Sequence, residues 1–198
     1  MSSILKVDTI QNTSGTSEIK IDAIKDTGGN SYLSSDGAGT VTIGNNALKN
    51  TPAFSVWLDS TQAVANTTAT KIIFNDEDYD TDSAYDTSNG RFTVPTGKAG
   101  KYVFTCSVQA PDMTDGKYMW VRWYVNGSNT KTIGGTVRYQ GWTSNFASSS
   151  ANMNMSAVCQ IDLSEGDYVE LYMYHNRGSS FNLDIETQNF AGYKLIGA

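Results

Sequence analysis

The chain has 198 residues and a net charge of −6; 39% of its residues are hydrophobic, 11% aromatic and 17% charged. This apolar share is enough to form a core, which excludes a disordered chain. The excess of 20 acidic over 14 basic residues excludes a nucleic-acid-binding protein, whose surface must be cationic. Because Thr, Ser, Asn and Gly, which favour strands and turns over helices, contribute 77 residues, the composition predicts an all-β fold.

Residues 1–6 lack the apolar stretch of a secretory signal peptide, so we expect no secretion. No part of the sequence is apolar over the ~20 residues that a membrane-spanning helix needs, so we expect no membrane insertion. We therefore expect the chain to fold in the cytoplasm of the cell that produces it.

Residues 1–50 form a segment of distinct composition, without Trp, Phe, Pro or Cys. Two similar stretches, 5–15 and 19–29, each have the pattern of a short strand followed by a turn, and residues 39–44 form a looser third copy. One chain alone offers them too little apolar area to offset the cost of ordering the backbone. We predict an anchor of β-repeats that becomes ordered by association with other chains; a flexible tail with chance similarity is the alternative. The apolar positions of the predicted anchor are Leu5, Val7, Ile10, Ile19, Ile21 and Ile24.

Residues 51–198 are richer in aromatic residues and predict a head domain of many short strands. Strand patterns occur at 53–58, 71–74, 91–94, 100–109, 118–125, 130–139, 153–163, 168–174 and 189–196. Asn126-Gly127 is a strong hairpin signal because both residues tolerate positive φ, and Gly192 predicts a close backbone approach in the last strand. Short strands separated by Gly, Asn and Asp turns predict a β-sandwich or jelly roll.

Four stretches of the head carry short motifs. The first covers residues 85–104, with a Tyr-Asp turn, then Gly-x-Phe-x-x-Pro at 90–95 and Gly-x-Tyr-x-Phe at 100–104. The hairpin at 125–127 and the segments 163–169 and 190–195 follow. In this order the four stretches resemble the globular head of complement component C1q. Residues 96–99 lengthen one loop relative to that pattern, and they lie outside the predicted strands.

This resemblance implies the jelly roll that C1q heads share with the tumour necrosis factor cytokines. It also implies a compact homotrimer with aromatic side chains packed along the threefold axis. The aromatic residues expected in the core and the trimer contact are Tyr102, Phe104, Tyr172, Tyr174, Phe190 and Tyr193. On the strand 168–174, the face that carries Tyr168, Tyr172 and Tyr174 would form a trimer seam; ordinary surface tyrosines are the alternative.

The N-terminal stretch 3–15 is similar to the opening of bacteriophage tail-fibre and related virion proteins. This similarity implies a virion structural protein that is assembled in the host cytoplasm. It would attach through residues 1–50 to other virion proteins, of the capsid or the tail, and display its head for adhesion to the host surface. The alternative is a capsid decoration or cement protein that stabilises the particle and has no specific receptor.

Few residues suit catalysis, and we do not expect an enzyme. His175 is the only histidine, and its place before Asn176-Arg177-Gly178 predicts a polar residue at a turn. Cys106 and Cys159 alternate with apolar residues, which predicts buried thiols; a disulfide between them is the alternative.

An acidic stretch carries alternating aspartates at Asp76, Asp78, Asp80 and Asp82. Carboxylates that alternate in this way can turn several oxygen ligands to one side, which suits Ca²⁺. The stretch lacks the Gly and the terminal Glu of a helix-loop-helix calcium site. The prediction is therefore an acidic loop with a structural calcium ion, and a solvated loop without metal is the alternative. We expect no other cofactor.

Two further patterns suggest contact surfaces. In the strand 118–125, one face carries Trp120, Arg122 and Tyr124. The other face carries the alternate apolar residues Met119, Val121, Trp123 and Val125. One face is expected to meet the core and the other a neighbouring subunit. The loop 138–146 mixes aromatic and amide side chains, which suits contact with a host-surface polysaccharide; packing of its tryptophan inside the protein is the alternative. The predicted glycan contacts are Tyr139, Trp142 and Asn145.

Overall fold

The computed structural model describes residues 23–25, 27–35, 38, 41–43, 50–128, 139–142, 151–185 and 187–196. Every regular element within these ranges is a β-strand, which confirms the predicted all-β fold. The described residues include no helix that is long and apolar enough to cross a membrane. The chain divides into two compact units, Met1–Leu48 and Lys49–Ala198.

The first unit contains a three-stranded antiparallel sheet of β1 (Ala23–Lys25), β2 (Ser31–Ser35) and β3 (Val41–Ile43), in that order. In the central strand, Leu33 lies opposite Ile24 on one side and opposite Ile43 on the other. The side chains of Ile24, Leu33 and Val41 are exposed, so this small sheet leaves apolar surface uncovered. Of the predicted anchor positions, Leu5, Val7, Ile10, Ile19 and Ile21 lie outside the described residues.

The second unit is a sandwich of two antiparallel sheets. Its strands are β4 (Ala53–Trp57), β5 (Gln62–Val64), β6 (Thr70–Lys71), β7 (Asp76–Asp80), β8 (Tyr85–Asp86), β9 (Arg91–Thr93), β10 (Gly100–Met113), β11 (Tyr118–Val125), β12 (Tyr139–Trp142), β13 (Ala151–Leu163), β14 (Tyr168–His175), β15 (Phe181–Leu183) and β16 (Asn189–Lys194). One sheet has the order β13-β10-β16-β4-β7, and the other has the order β12-β11-β14-β9-β8 with β6 also paired to β14. Strands β5 and β15 form a separate ribbon. The predicted jelly roll is confirmed.

Aromatic side chains from both sheets fill the core between them. The ring of Phe54 stacks on Phe92 with centroids 5.1 Å apart and meets Phe190 edge-on, also at 5.1 Å. Phe92 in turn contacts Phe104 at 5.4 Å. Because Phe92 belongs to one sheet and the other three rings to the opposite sheet, this cluster joins the two layers.

Gly192 lies under these rings, opposite Phe54 on β4 and Phe104 on β10. A Cβ atom at this position would lie 2.9 Å from a ring carbon of Phe54 and 2.8 Å from one of Phe104. Only a residue without a side chain fits there, so the close approach predicted for Gly192 is present.

The acidic stretch forms the edge strand β7 instead of the expected loop. Its backbone pairs with β4, where Tyr79 lies opposite Ser55 and Asp76 opposite Trp57. Aspartate is depleted in strands, but an edge position leaves its carboxylates in contact with water, which removes most of that cost.

The strand β10 continues past the predicted end at residue 109, because a shift in register between Ala110 and Met113 lets the pairing continue beyond Pro111. A bulge of this kind accommodates a proline, which cannot donate a ladder hydrogen bond.

His175 is fully buried, so the expectation of a polar turn residue was wrong. The imidazole packs against Phe181, with ring centroids 4.3 Å apart. Its Nε2 lies 3.3 Å from the carbonyl oxygen of Val64, and its Nδ1 accepts a hydrogen bond from the amide of Arg177 at 3.3 Å. A neutral ring with its proton on Nε2 satisfies both contacts. His175 thereby ties the ribbon of β5 and β15 to the end of β14.

Replacing Gly192 with alanine is expected to lower the free energy of unfolding by about 1–3 kcal/mol, because the added methyl group overpacks the core against Phe54 and Phe104. Urea unfolding followed by tryptophan fluorescence measures the change. Ala191→Ser alters the neighbouring residue on the outward side of the same strand and serves as the control. Equal stability of Gly192→Ala and the unmodified protein would contradict the close packing.

Burial lowers the pKa of His175. The unfolded chain therefore gains a proton near its ordinary pKa of about 6.5, while the folded protein stays neutral. The contribution of His175 to stability is therefore expected to be constant above that pH and to fall as the pH drops below it. In His175→Gln this part of the pH dependence should disappear, although the variant is less stable at every pH. Urea unfolding of both proteins at neutral and mildly acidic pH tests this; parallel pH profiles would contradict it.

Candidate functional surfaces

Alternate residues of the strands of the five-stranded sheet point away from the core, and on β4, β16, β10 and β13 most of these outward residues carry no charge. These residues, which we call the uncharged face, are Ala53, Ser55, Trp57, Val103, Thr105, Ser107, Gln109, Asn154, Ser156, Val158, Gln160, Asn189, Ala191 and Tyr193. Val158 and Tyr193 are 52% and 39% exposed. Charge lies at the margins: at the register pair Lys101 and Asp162, and along the edge strand β7, where the carboxylate of Asp78 accepts a hydrogen bond from Ser55.

Polar groups on the uncharged face bind one another. The Gln109 side-chain amide donates to Asn154 Oδ1 at 2.8 Å, and Ser156 Oγ donates to Ser107 Oγ at 3.3 Å. Through the centre of the face runs a row of small residues, with Ala191 between Thr105 and Ser55. Small side chains therefore occupy the centre of the face, and several of its polar groups already have partners.

The outward side of the six-stranded sheet carries a different set of side chains, rich in aromatic rings. We call this set the aromatic ladder, and it consists of Lys71, Arg91, Tyr118, Trp120, Arg122, Tyr124, Tyr168, Glu170, Tyr172 and Tyr174. The antiparallel register places Trp120 opposite Tyr174 and Arg122 opposite Tyr172. Since cross-strand neighbours share a face of the sheet, β11 and β14 bring these rings side by side.

The rings of the aromatic ladder stack on one another. Trp120 and Tyr174 are nearly parallel, at 2°, with centroids 5.1 Å apart, and Tyr118 stacks on Tyr174 at 5.7 Å. Tyr124 and Tyr172 stack at 3.9 Å. Trp120 is buried although it is not a member of the core cluster.

Three cations and one carboxylate interleave with these rings. The guanidinium of Arg122 lies over Trp120 at 3.9 Å, and that of Arg91 lies over Tyr168 at 3.8 Å. Glu170, only 3% exposed, accepts hydrogen bonds from Arg91 at 2.8 and 3.0 Å and from Lys71 at 3.1 Å. One carboxylate is thus shared by two cations, and the aromatic ladder carries a net charge of +2 in a chain whose net charge is −6.

Asp86, on the neighbouring strand β8, lies opposite Arg91 and reduces this local charge to +1 if it is included. Its carboxylate already accepts hydrogen bonds from the Ser88 hydroxyl at 2.6 Å and from the Asn89 side-chain amide at 2.7 Å. These bonds keep the pKa of Asp86 below its usual value. The cationic character of the aromatic ladder is therefore local and lies on β6, β9 and β11.

Turn residues at one end of β11 and β14 fix the register of the aromatic ladder. The Asn126 side-chain amide donates to Asp167 Oδ1 at 2.7 Å, and Asn126 Oδ1 accepts from the amide of Tyr168 at 2.9 Å. The predicted Asn126-Gly127 turn is present, with positive φ at both residues. A one-residue shift in register would turn every ring of one strand towards the core. The turn therefore keeps the rings of β11 and β14 on the outward side.

The predicted core and trimer aromatics lie in three places. Tyr102, Phe104 and Phe190 are in the core. Tyr172 and Tyr174 belong to the aromatic ladder, and Tyr193 belongs to the uncharged face. The structure therefore does not bring the six residues together. For β11 the predicted division is present: Trp120, Arg122 and Tyr124 face outward and the alternate residues face the core.

The four aspartates of the acidic stretch bind groups of the protein itself or lie apart. Ser55 Oγ donates to Asp78 at 2.9 Å, and the amide of Tyr85 donates to Asp80 at 2.7 Å. Asp82 forms an ion pair with Lys98 at 3.0 Å, while Asp76 accepts from the backbone of β7 itself. In the part of the chain that the structure describes, no group of three or more acidic, His or Cys residues is arranged to hold a metal ion. The calcium site stays a prediction.

Two of the three predicted glycan contacts lie on the edge strand of the six-stranded sheet. Tyr139 and Trp142 belong to β12, where Trp142 lies opposite Tyr118 of the aromatic ladder. Asn145 lies outside the described residues. Strand β12 therefore borders the aromatic ladder. The sequence did not indicate that this ladder contains the ion pairs of Glu170 with Lys71 and Arg91.

Neither thiol has the character of a nucleophile. Cys106 and Cys159 are free and buried, and burial raises the pKa of Cys106 to about 12 and that of Cys159 further. In the register of β10 and β13, Cys159 lies opposite Phe104, and Cys106 lies opposite Ala157, so the two thiols are diagonal neighbours. Both behave as small apolar side chains.

The head is similar to domains of known proteins. The structure is similar to the globular domain of zebrafish complement 1qA protein, with a TM-score of 0.53 and 18% identity over 73% of this chain and 97% of that one. It is also similar to the PRD1 vertex protein P5, with 16% identity over 74% and 99% of the two chains, but the TM-score of 0.49 is too low to carry an argument.

Among curated sequences, the uncharacterized protein YqcC of Bacillus subtilis (strain 168) is 28% identical over 114 residues. The match spans 58% of this chain but only 30% of YqcC, so the chain covers less than a third of that relative. The family model of the C1q domain matches residues 53–195, which is most of the chain and the whole sandwich from β4 to β16. The chain therefore belongs to the C1q domain family.

Proposed function

We propose that the protein is a homotrimeric structural protein of a bacteriophage virion. Residues 1–50 attach it to other proteins of the capsid or tail, and the C1q head is displayed for adhesion to the host surface. The observation that carries this proposal is the uncharged face: an outward surface whose charges lie only at its margins, on a head of the C1q family, suited to contact between copies of the chain.

The energetics of the uncharged face favour its burial in a protein contact. Burying a charge costs several kcal/mol unless it is paired, and the centre of this face has none to bury. Its polar side chains already bind each other, as Gln109 binds Asn154, so they lose little when water is removed. The exposed parts of Val158 and Tyr193 add apolar area. A closed threefold assembly also suits the family, in which trimers are typical.

The attachment role of residues 1–50 rests on two observations. The sheet of β1, β2 and β3 leaves Ile24, Leu33 and Val41 exposed, so its apolar surface is available to other chains. The stretch 3–15 is similar to the opening of phage fibre proteins, and this similarity supports a place in the virion. The same resemblance supports assembly in the host cytoplasm.

Placing an aspartate in the middle of the uncharged face is expected to break the trimer. In Ala191→Asp a carboxylate enters the central row between Thr105 and Ser55, where association would bury it without a partner. Size-exclusion chromatography with light scattering should give a trimer of 21.5 kDa chains for the unmodified protein and a monomer for the variant. Ser179→Asp, at an exposed turn, is the control and should remain trimeric. A monomeric unmodified protein, or a trimeric Ala191→Asp variant that is folded by circular dichroism, would overturn the assembly.

A chain without residues 1–50 is expected to retain the trimeric head but to be absent from virus particles. Immunogold labelling of purified particles, made with the full chain or with the shortened chain, measures this directly. Normal incorporation of the shortened chain would contradict the attachment role. If particles that lack the protein adsorb to the host normally but are less stable, the decoration or cement function would be favoured instead.

A further inference from the structure

We infer that the aromatic ladder is a binding surface for acidic polysaccharides, that is, for glycan chains that carry carboxylate groups. This inference rests on the proposed adhesive function and names the ligand class and the site for it. The residues that carry it are Arg122 and Tyr174 at one end of the surface, where the buried Trp120 supports both, and Arg91 with Tyr168 at the other.

The first argument is the composition of this outward surface. The solvent side of an antiparallel sheet usually presents polar residues, yet here stacked tyrosines and a tryptophan cover β11 and β14. The five tyrosines of the aromatic ladder are half-buried, so each keeps part of its ring in contact with water, and contiguous aromatic surface of this kind marks an interaction site. Tyrosine and tryptophan combine apolar rings with hydrogen-bonding groups, which suits a ligand that is itself part apolar ring and part hydroxyl.

The second argument is rigidity. Trp120 is held between the guanidinium of Arg122 at 3.9 Å and the ring of Tyr174 at 5.1 Å. Tyr124 and Tyr172 are stacked at 3.9 Å. Side chains that are already fixed lose little conformational freedom when a ligand binds, so more of the contact energy is available for affinity.

The third argument is charge. Glu170 neutralises only one of the two cations that bind it, Lys71 and Arg91, and Arg122 adds a further positive charge. The aromatic ladder is therefore cationic within an acidic chain. A planar guanidinium matches a carboxylate with two parallel hydrogen bonds, which favours an acidic ligand over a neutral one.

The shape of the surface favours an extended polymer. From Tyr118 to Tyr124 the row on β11 extends ~20 Å at about 3.3 Å per residue. Nucleic acids are disfavoured because they carry a charge at every nucleotide and require a strongly cationic surface, while this chain carries a net charge of −6. A polysaccharide whose carboxylates are farther apart requires fewer cations on the protein surface than a nucleic acid does.

Calorimetric titration of the full-length protein with polygalacturonate, with dextran of similar size and with single-stranded DNA tests the inference. Polygalacturonate should bind, more weakly at higher salt, and dextran and DNA should not bind measurably. Arg122→Gln should weaken the binding of polygalacturonate about tenfold or more, because a charge-assisted hydrogen bond is lost. Arg122→Lys should recover only part of this affinity, since it keeps the charge but not the planar stacking.

Lys101→Gln removes one cation from the opposite sheet and should leave the affinity for polygalacturonate unchanged. Equal binding of dextran would overturn the acidic ligand class, and binding of DNA alone would assign the surface to nucleic acid. No binding of polygalacturonate by a protein that is trimeric in light scattering would overturn the ligand site and leave the assembly standing. A monomer that binds polygalacturonate and responds to Arg122→Gln would overturn the assembly and leave the ligand site standing.

Discussion

The packing of Phe54 and Phe104 against Gly192 is the constraint on which the rest of the head depends. The missing side chain of Gly192 lets both rings sit directly on the backbone of β16, and from there Phe54 and Phe104 reach Phe92 of the opposite sheet. This contact sets the separation of the two sheets and fixes which side of β4, β10 and β16 faces inward. Once the inward side is fixed, the period of two along each strand determines every residue that faces outward.

The two sheets use their outward sides in physically different ways. On the five-stranded sheet, small uncharged residues are aligned in rows across β4, β16, β10 and β13. On the six-stranded sheet, rings and ions are interleaved, with nearly buried Glu170 at the centre of a cluster with Lys71 and Arg91. A carboxylate removed from water in this way is costly unless it is paired, and here two cations from β6 and β9 share it. The cluster thus joins three strands of the sheet and also leaves an excess of positive charge on the surface.

Much of the head follows from local sequence pattern, because alternation and turn residues act over a few neighbours. The strand at 118–125 with its Asn126-Gly127 turn and the close approach at Gly192 are examples. What could not be predicted depends on contacts between distant segments. Arg91 and Glu170 are 79 residues apart in the chain, and His175 is buried only because Val64 and Phe181 come from the ribbon of β5 and β15. The acidic stretch was expected to be a loop because aspartate disfavours strands, but pairing of its backbone with β4 outweighs that preference.

The acidity of the chain and the cationic aromatic ladder are compatible because electrostatic interactions in solution have short range. At physiological ionic strength the screening length is about 8 Å, so a ligand at the aromatic ladder experiences the nearby Arg122 and Arg91 more than the carboxylates of β7 on the other sheet. At larger distances the net charge of −6 repels an acidic polymer. The proposed contact with an acidic glycan is therefore favoured only where the rings and guanidinium groups meet the ligand directly, so it would depend on fit more than on charge. In the proposed trimer, three such surfaces on one molecule would strengthen this contact, because the second and third sites would bind at a high effective concentration once the first is occupied.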